Sequence, residues 1–149
     1  MAIIFDTNIL VHLVRDNSLD SQRIRQIVNP TVELEYISIV TVGELYSFAL
    51  QNGWESAKIN KMNKELDSVT QFGISEESVL RRYAEIDAFS KRKIPSNLLQ
   101  GSARKMGKND LWIAAIASIL ELPLATTDKD FDHLHNIYLE VQYHNPDNL

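Results

Sequence analysis

Short apolar runs that stop beside an acidic residue are the feature that most limits how this chain can fold. The run Ile3–Phe5 is followed directly by Asp6, and the run Leu124–Thr126 is followed two residues later by Asp128. Apolar runs this short are typical of strands buried in a sheet. A buried strand cannot keep an unpaired charge among apolar side chains. We therefore expect each acid to emerge at an edge of the sheet.

The hydrophobic periodicity predicts strands that alternate with helices. The predicted strands are Ile3–Phe5, Tyr36–Val40, Leu124–Thr126 and Ile137–Tyr143. The predicted helices are one beginning near Ile9, then Gln22–Val28, Thr41–Leu50, 55–69, 76–92 and Leu111–Leu120. This alternation over 149 residues predicts one α/β domain, 1–149, with a mostly parallel sheet and helices on both faces. Ligands of such sheets bind outside the carboxyl ends of the strands.

Acids stand at four strand–helix junctions of this arrangement: Asp6, Glu44, Asp110 and Asp128, with Asp130 and Asp132 close behind the last. Each also fits a role at a helix start. Asp6 and Asp110 fit N-caps, and the spacings Thr41 to Glu44 and Thr127 to Asp130 fit capping boxes. The capping interpretation stays open for every one of them, but it does not explain why the acids recur at strand ends.

Several converging carboxylates favour a site for a hard divalent cation. Mg²⁺ and Mn²⁺ prefer oxygen ligands, and a pair of such ions can activate water to attack a phosphodiester. Acids clustered without a metal repel each other and raise one another's pKa. A calcium-binding loop beginning at Asp128 is excluded, because His133 stands where glycine is required and Leu139 where glutamate is required.

Composition limits the function through cysteine and charge. The chain has no cysteine, which excludes thiolate-bound zinc and is typical of a protein of the reducing cytoplasm. The net charge of −5 argues against nucleic acid, but residues 81–108 carry eight basic and two acidic residues. This segment fits a path for an RNA backbone or a solvated surface, and both interpretations stay open. The backbone candidates are Lys91, Arg92, Lys93, Arg104, Lys105 and Lys108.

Four segments carry a family resemblance: IIFDTNIL, TVGELY, KNDLWIAAIA and TTDKDF. In this order they resemble the motifs of PIN-domain proteins, and in particular the VapC-type ribonuclease toxins of bacterial toxin–antitoxin pairs. The resemblance implies a three-layer PIN-like fold. It implies a catalytic acidic quartet of Asp6, Glu44, Asp110 and Asp128 that binds one or two Mg²⁺ or Mn²⁺ ions. It also implies supporting roles for Thr7 and Asn8 at the first acid and Thr127 near the fourth, where Asp130 is an alternative ligand.

The same resemblance implies a function. We expect a cytoplasmic, metal-dependent endoribonuclease that acts as the toxin of a type II pair, binds a cognate antitoxin and forms a homodimer. Two alternatives remain at this stage. One is a PIN-like nuclease for RNA maturation or DNA cleavage, and the other is a catalytically silent PIN fold that serves as a binding module.

Overall fold

A parallel sheet forms the centre of the molecule. The computed structural model describes the backbone of residues 1–15 and 18–149, and the side chains of 1–15 and 21–149. Its five strands are β1 (Ala2–Phe5), β2 (Leu34–Ser38), β3 (Thr70–Phe72), β4 (Leu124–Thr126) and β5 (Val141–Tyr143). They lie in the order β3-β2-β1-β4-β5, and every neighbouring pair is parallel. The predicted parallel sheet is confirmed.

Helices cover both faces of this sheet. They are α1 (Thr7–Arg15), α2 (Ser18–Val28), α3 (Ile39–Gln51), α4 (Ser56–Asp67), α5 (Glu77–Ser90) and α6 (Lys108–Leu120), with 3-10 helices at Lys129–Leu134 and Pro146–Asn148. Strand β1 shows how two cores arise, because successive side chains of a strand point to opposite faces. Ile3 and Phe5 pack in the core that contains α1 to α4, and Ile4 packs in the core that contains α5 and α6. The predicted three-layer α/β fold is confirmed. No described helix is long and apolar enough to cross a membrane.

The boundaries differ from the predictions where polar contacts decide them. Strand β2 ends at Ser38, whose hydroxyl accepts a hydrogen bond from the Val40 N–H and caps α3. The predicted strand over 36–40 is therefore too long, and the predicted capping box from Thr41 to Glu44 is wrong. Strand β3 is missing from the predicted elements, because its side chains are largely exposed and show no apolar alternation. The last strand is confined to β5, shorter than the predicted 137–143.

The topology brings two of the acids to neighbouring strand ends. Strands β1 and β4 pair through Phe5 and Ala125, so Asp6 and Asp128 both lie at the carboxyl end of the sheet. Strand β2 lies on the other side of β1, and the chain order of the strands therefore reverses direction at β1. Crevices at such reversal points are where ligands bind in open α/β sheets.

Candidate metal centre

A cavity of about 690 Å³ lies beside the carboxyl end of β1 and is lined by residues of α1, α3 and α6. Three acids face it: Asp6 at the end of β1, Glu44 in α3 and Asp110 in the first turn of α6. Asn8 and Asn109 add amide groups at its exposed rim. The cavity is thus rich in oxygen ligands and open to solvent.

Asp6 is the most deeply buried of these acids, with 2% of its surface exposed. One carboxylate oxygen accepts a hydrogen bond from the Thr7 N–H, and the other accepts one from the Thr126 hydroxyl, both at 2.7 Å. Burial raises the pKa of Asp6 to about 6, and the charges of Asp128 and Glu44 add to the rise while both hydrogen bonds oppose it. Asp6 thus binds the N–H of Thr7, the first residue of α1, and also lines the cavity.

Thr126 links the first acid to the fourth junction. Its hydroxyl donates to Asp6 and accepts a hydrogen bond from the Asp128 N–H at 2.9 Å. The family resemblance implies Thr127 as the hydroxyl near the fourth acid, but Thr126 makes these contacts. The strand register explains why Thr126 makes them. Ala125 pairs with Phe5, so the next residue along β4 lies beside Asp6.

Thr7 positions Glu44. Its hydroxyl donates to Glu44 Oε1 at 2.6 Å and lies 3.0 Å from the Thr41 hydroxyl. The side chain of Thr7 therefore holds the acid of α3, while its backbone N–H holds Asp6. Asn8 is exposed at the cavity. Both residues expected to support the first acid lie at this site, and Thr7 contacts two acids.

Asp110, Asp128 and Asp130 form the tightest acidic group among the described residues. One carboxylate oxygen from each lies within 4.8 Å of the other two. Asp128 also caps the following 3-10 helix by accepting a hydrogen bond from the Asp130 N–H at 2.8 Å. The sequence leaves Asp128 and Asp130 as alternatives, and the structure brings both carboxylates to Asp110.

Burial and like charge together raise the pKa of Asp110 to about 7. Burial is the larger cause, followed by the charges of four acids: Asp6, Asp128, Glu44 and Asp130. The charges of the other four acids therefore all reach Asp110. An all-oxygen group with this repulsion fits a hard divalent cation, which supplies the missing positive charge.

The basic segment adjoins this region at its second half. Arg104 donates from Nη2 to the carbonyl of Lys129 at 3.3 Å, between Asp128 and Asp130 in sequence. Lys108 begins α6, two residues before Asp110. The first half lies farther back along the chain: Lys91 pairs with Asp87 at 3.1 Å, and Arg92 donates to the carbonyl of Leu99.

The raised pKa of Asp110 predicts a pH-dependent stability effect in metal-free protein. The folded state holds this proton more tightly than the unfolded chain, so its stabilisation is present below pH 3.8 and is lost as the pH rises through about 7. Asp110→Asn, which cannot ionise, should therefore raise the melting temperature more at about pH 8 than at about pH 5. Melting curves in EDTA measure the difference. The exposed Asp67→Asn is the control, and a gain from Asp110→Asn that does not grow with pH would contradict the repulsion.

Comparisons with known proteins identify the family and the fold. The PIN domain family model matches residues 3–136, a range that contains all five acids. A search of curated proteins finds no match. Similar structures include VapBC2 from Rickettsia felis bound to a promoter DNA fragment, at 17% identity, 96% and 98% coverage of this chain and that chain, and TM-score 0.74. VapBC-1 from nontypeable Haemophilus influenzae matches at 25% identity, 96% and 98% coverage, and TM-score 0.67. VapBC-5 from Mycobacterium tuberculosis, a member of the VapBC family of toxin-antitoxin systems, matches at 19% identity, 96% and 98% coverage, and TM-score 0.62.

Proposed function

Because this chain belongs to the PIN domain family, we propose that it is a divalent-metal-dependent endoribonuclease and the toxin of a toxin–antitoxin pair. The observation that carries the proposal is the convergence of five acids at the sheet edge, where two of them have a raised pKa. Such a cluster destabilises a protein unless a bound cation offsets the repulsion between its charges. Cleavage of single-stranded RNA by the purified protein supplied with Mg²⁺ or Mn²⁺ is the direct test.

The side chains divide the work of such a reaction. Asp110, Asp128 and Asp130 would hold one cation, and Asp6, with Glu44 facing the same cavity, would contribute to the same or a second ion. A bound Mg²⁺ or Mn²⁺ supplies Lewis-acid activation of water and neutralises charge on the phosphate.

The supporting groups fix where those carboxylates stand. Thr126 holds Asp6 against the start of the Asp128 segment, and Thr7 fixes Glu44. Asn8 and Asn109 at the cavity rim offer amide N–H donors to phosphate oxygens. Asn109 and Asp110 line the same cavity, so a phosphate bound to Asn109 would lie near the acids.

The basic residues give the RNA backbone a path to the acids. Arg104 donates a hydrogen bond to the backbone between Asp128 and Asp130, and Lys105 and Lys108, which follow Arg104 in the chain, are exposed. Lys91–Lys93 lies beyond them, joined through the hydrogen bond from the Arg104 N–H to the Ser90 carbonyl. We propose that the strand passes over 104–108 and continues toward 91–93.

A salt titration tests this path. In an Asp110→Asn background, which binds without cutting, Arg104→Gln, Lys105→Gln and Lys108→Gln together should weaken RNA binding. The slope of log affinity against log salt should flatten by roughly 0.7 for each phosphate that the variant no longer neutralises. The weakening should be alike for different RNA sequences, because phosphate contacts carry no base information. The control is Lys64→Gln, which changes an exposed lysine of α4. An unchanged slope in the triple variant would mean that 104–108 is only a solvated surface and does not bind RNA.

The partner we propose is an antitoxin, on the strength of the toxin–antitoxin structures that share this fold. A surface of α3 and α4 suits it: an apolar cavity of about 430 Å³ is lined by Tyr46, Leu50 and Trp54. Leu50 is 84% exposed there, and exposed apolar patches mark interaction sites. The net charge of −5 favours a partner segment with basic residues. We propose in addition that the protein forms a homodimer and acts in the cytoplasm.

A further inference from the structure

A second cavity, of about 560 Å³, has none of the five acids in its lining but shares Arg104 with the proposed RNA path. It is lined from four segments: the end of α5, the loop after it, the 3-10 helix Lys129–Leu134, and the turn that follows this helix. That 3-10 helix is the connection to the metal centre, because Asp128 caps it and Asp130 lies in its first turn. Asp132 and His133, from the same helix, face the second cavity.

The floor of this cavity is aromatic. Phe89 is buried, and the His133 ring lies parallel to it with an interplanar angle of 5° and a centroid distance of 6.5 Å. A hydrogen bond of 2.7 Å between His133 Nε2 and the Ser90 hydroxyl fixes the imidazole. Exposed apolar side chains stand at the rim, where Leu98 and Ile137 are each 52% exposed. Unpaired bases stack on flat rings and apolar side chains, and here the half-buried His133 ring is available for such stacking while Phe89 packs behind it.

Polar groups of the lining suit the edge of a base. Asn97 and Gln100 line the cavity and are exposed, and each amide offers one donor group and one acceptor. Asp132 is exposed there as well and adds a carboxylate, which can only accept hydrogen bonds when ionised. A carboxylate accepts readily from the exocyclic amino group of cytosine, and an amide pairs with adenine. Uracil has no exocyclic amino group to offer.

Arg104 links the second cavity to the backbone of the acidic segment. It lines the second cavity, and its Nη2 also donates to the Lys129 carbonyl beside the acids. Asp130 and His133 are three residues apart in a 3-10 helix, which is a rise of roughly 6 Å. When the phosphate of a nucleotide lies at the acids, a neighbouring base can therefore reach this cavity.

We propose that the cavity lined by Phe89, Gln100, Arg104, Asp132 and His133 binds one unpaired base next to the scissile phosphate, and that it prefers bases with an exocyclic amino group to uracil. The inference rests on the proposed ribonuclease function. It adds a determinant of where RNA is cut, with Arg104 as the link between base and phosphate.

Binding of oligocytidylate and oligouridylate of equal length tests the preference, because a homopolymer presents the same base in every register. Fluorescence anisotropy of the non-cutting Asp110→Asn protein should give about fivefold tighter binding of oligocytidylate. Adding Asp132→Ala and Gln100→Ala should bring the ratio close to one. Removing the Asp132 charge strengthens binding of both oligomers through electrostatics, so the ratio, and not either affinity, is the readout.

Asp67→Asn in the same background is the matched control, since it removes an equally exposed charge from α4, and it should keep the ratio. A ratio that stays unchanged in the Asp132→Ala, Gln100→Ala protein would overturn the inference, as would equal binding of both oligomers by the starting protein. Cleavage of RNA is measured separately, with the protein that carries none of these substitutions. If that protein cuts no RNA while the ratio still depends on Asp132 and Gln100, the proposed function fails and the base cavity stands.

Discussion

Asp110→Asn should lower the rate of RNA cleavage by at least about 100-fold while the protein stays folded. Asn keeps the shape of the side chain but removes one charge from the group formed with Asp128 and Asp130. Loss of groups that only orient metal ligands already costs about 10–100-fold, so loss of a ligand should cost more. Initial rates on a labelled single-stranded RNA, with melting curves of the same preparations, measure both parts.

Asp6→Asn should have a similar effect on cleavage, because Asp6 is buried beneath the same cavity and holds two hydrogen bonds there. Its amide group keeps only one acceptor oxygen, so one of those hydrogen bonds cannot form. The exposed Asp67→Asn should cut at the parent rate. Parent-like cleavage by Asp110→Asn or Asp6→Asn would mean that the acidic cluster is not the catalytic centre.

Adding Mg²⁺ or Mn²⁺ should raise the melting temperature of the metal-free protein by several degrees. A site present only in the folded state gains about 2.7 kcal/mol at a metal concentration 100 times Kd, which is roughly 5–10 °C for a domain of this size. The gain should also increase with pH, because deprotonated Asp6 and Asp110 bind metal and their pKa values are about 6 and about 7. Thermal melts across a metal titration measure it.

The acid variants show which carboxylates hold the ion. Asp110→Asn should lose most of the metal-dependent gain, since its carboxylate lies with those of Asp128 and Asp130 and its pKa is raised in part by the charges of all four other acids. The metal-dependent gains of Asp128→Asn and Asp130→Asn, compared with each other, then identify the stronger ligand at the fourth junction. An Asp110→Asn protein that gains as much as the parent would place the metal elsewhere.

The fold follows from the sequence wherever burial decides it. Strand β4 is predicted with its observed bounds, Leu124–Thr126, because both of its faces are buried and its residues form a short apolar run. The polar cap decides the start of α3, since the Ser38 hydroxyl ends β2 two residues earlier than the β-branched residues Ile39 and Val40 suggest. Strand β3 lies at the edge of the sheet, where pairing with β2 sustains it without an apolar pattern.

The site is predictable in its acids and less so in its supporting contacts. Strand ends and helix starts single out the acids because parallel topology gathers those positions at one edge. The hydroxyl partners depend on strand register, which a single sequence does not display, and so Thr127 is expected where Thr126 makes the contact. The second cavity depends on the path of the loop between α5 and α6, for which the sequence predicts no regular structure.

The central claim is that the acid cluster and a divalent cation together cleave RNA, and one reconstitution experiment tests it. Purified protein is treated exhaustively with EDTA, assayed on labelled single-stranded RNA, and assayed again after Mn²⁺ is restored, with Asp110→Asn purified in parallel to reveal contaminating nuclease. We predict no cleavage in EDTA, recovery with Mn²⁺, and no recovery for Asp110→Asn. Full cleavage in EDTA, or equal recovery by Asp110→Asn, would contradict the claim.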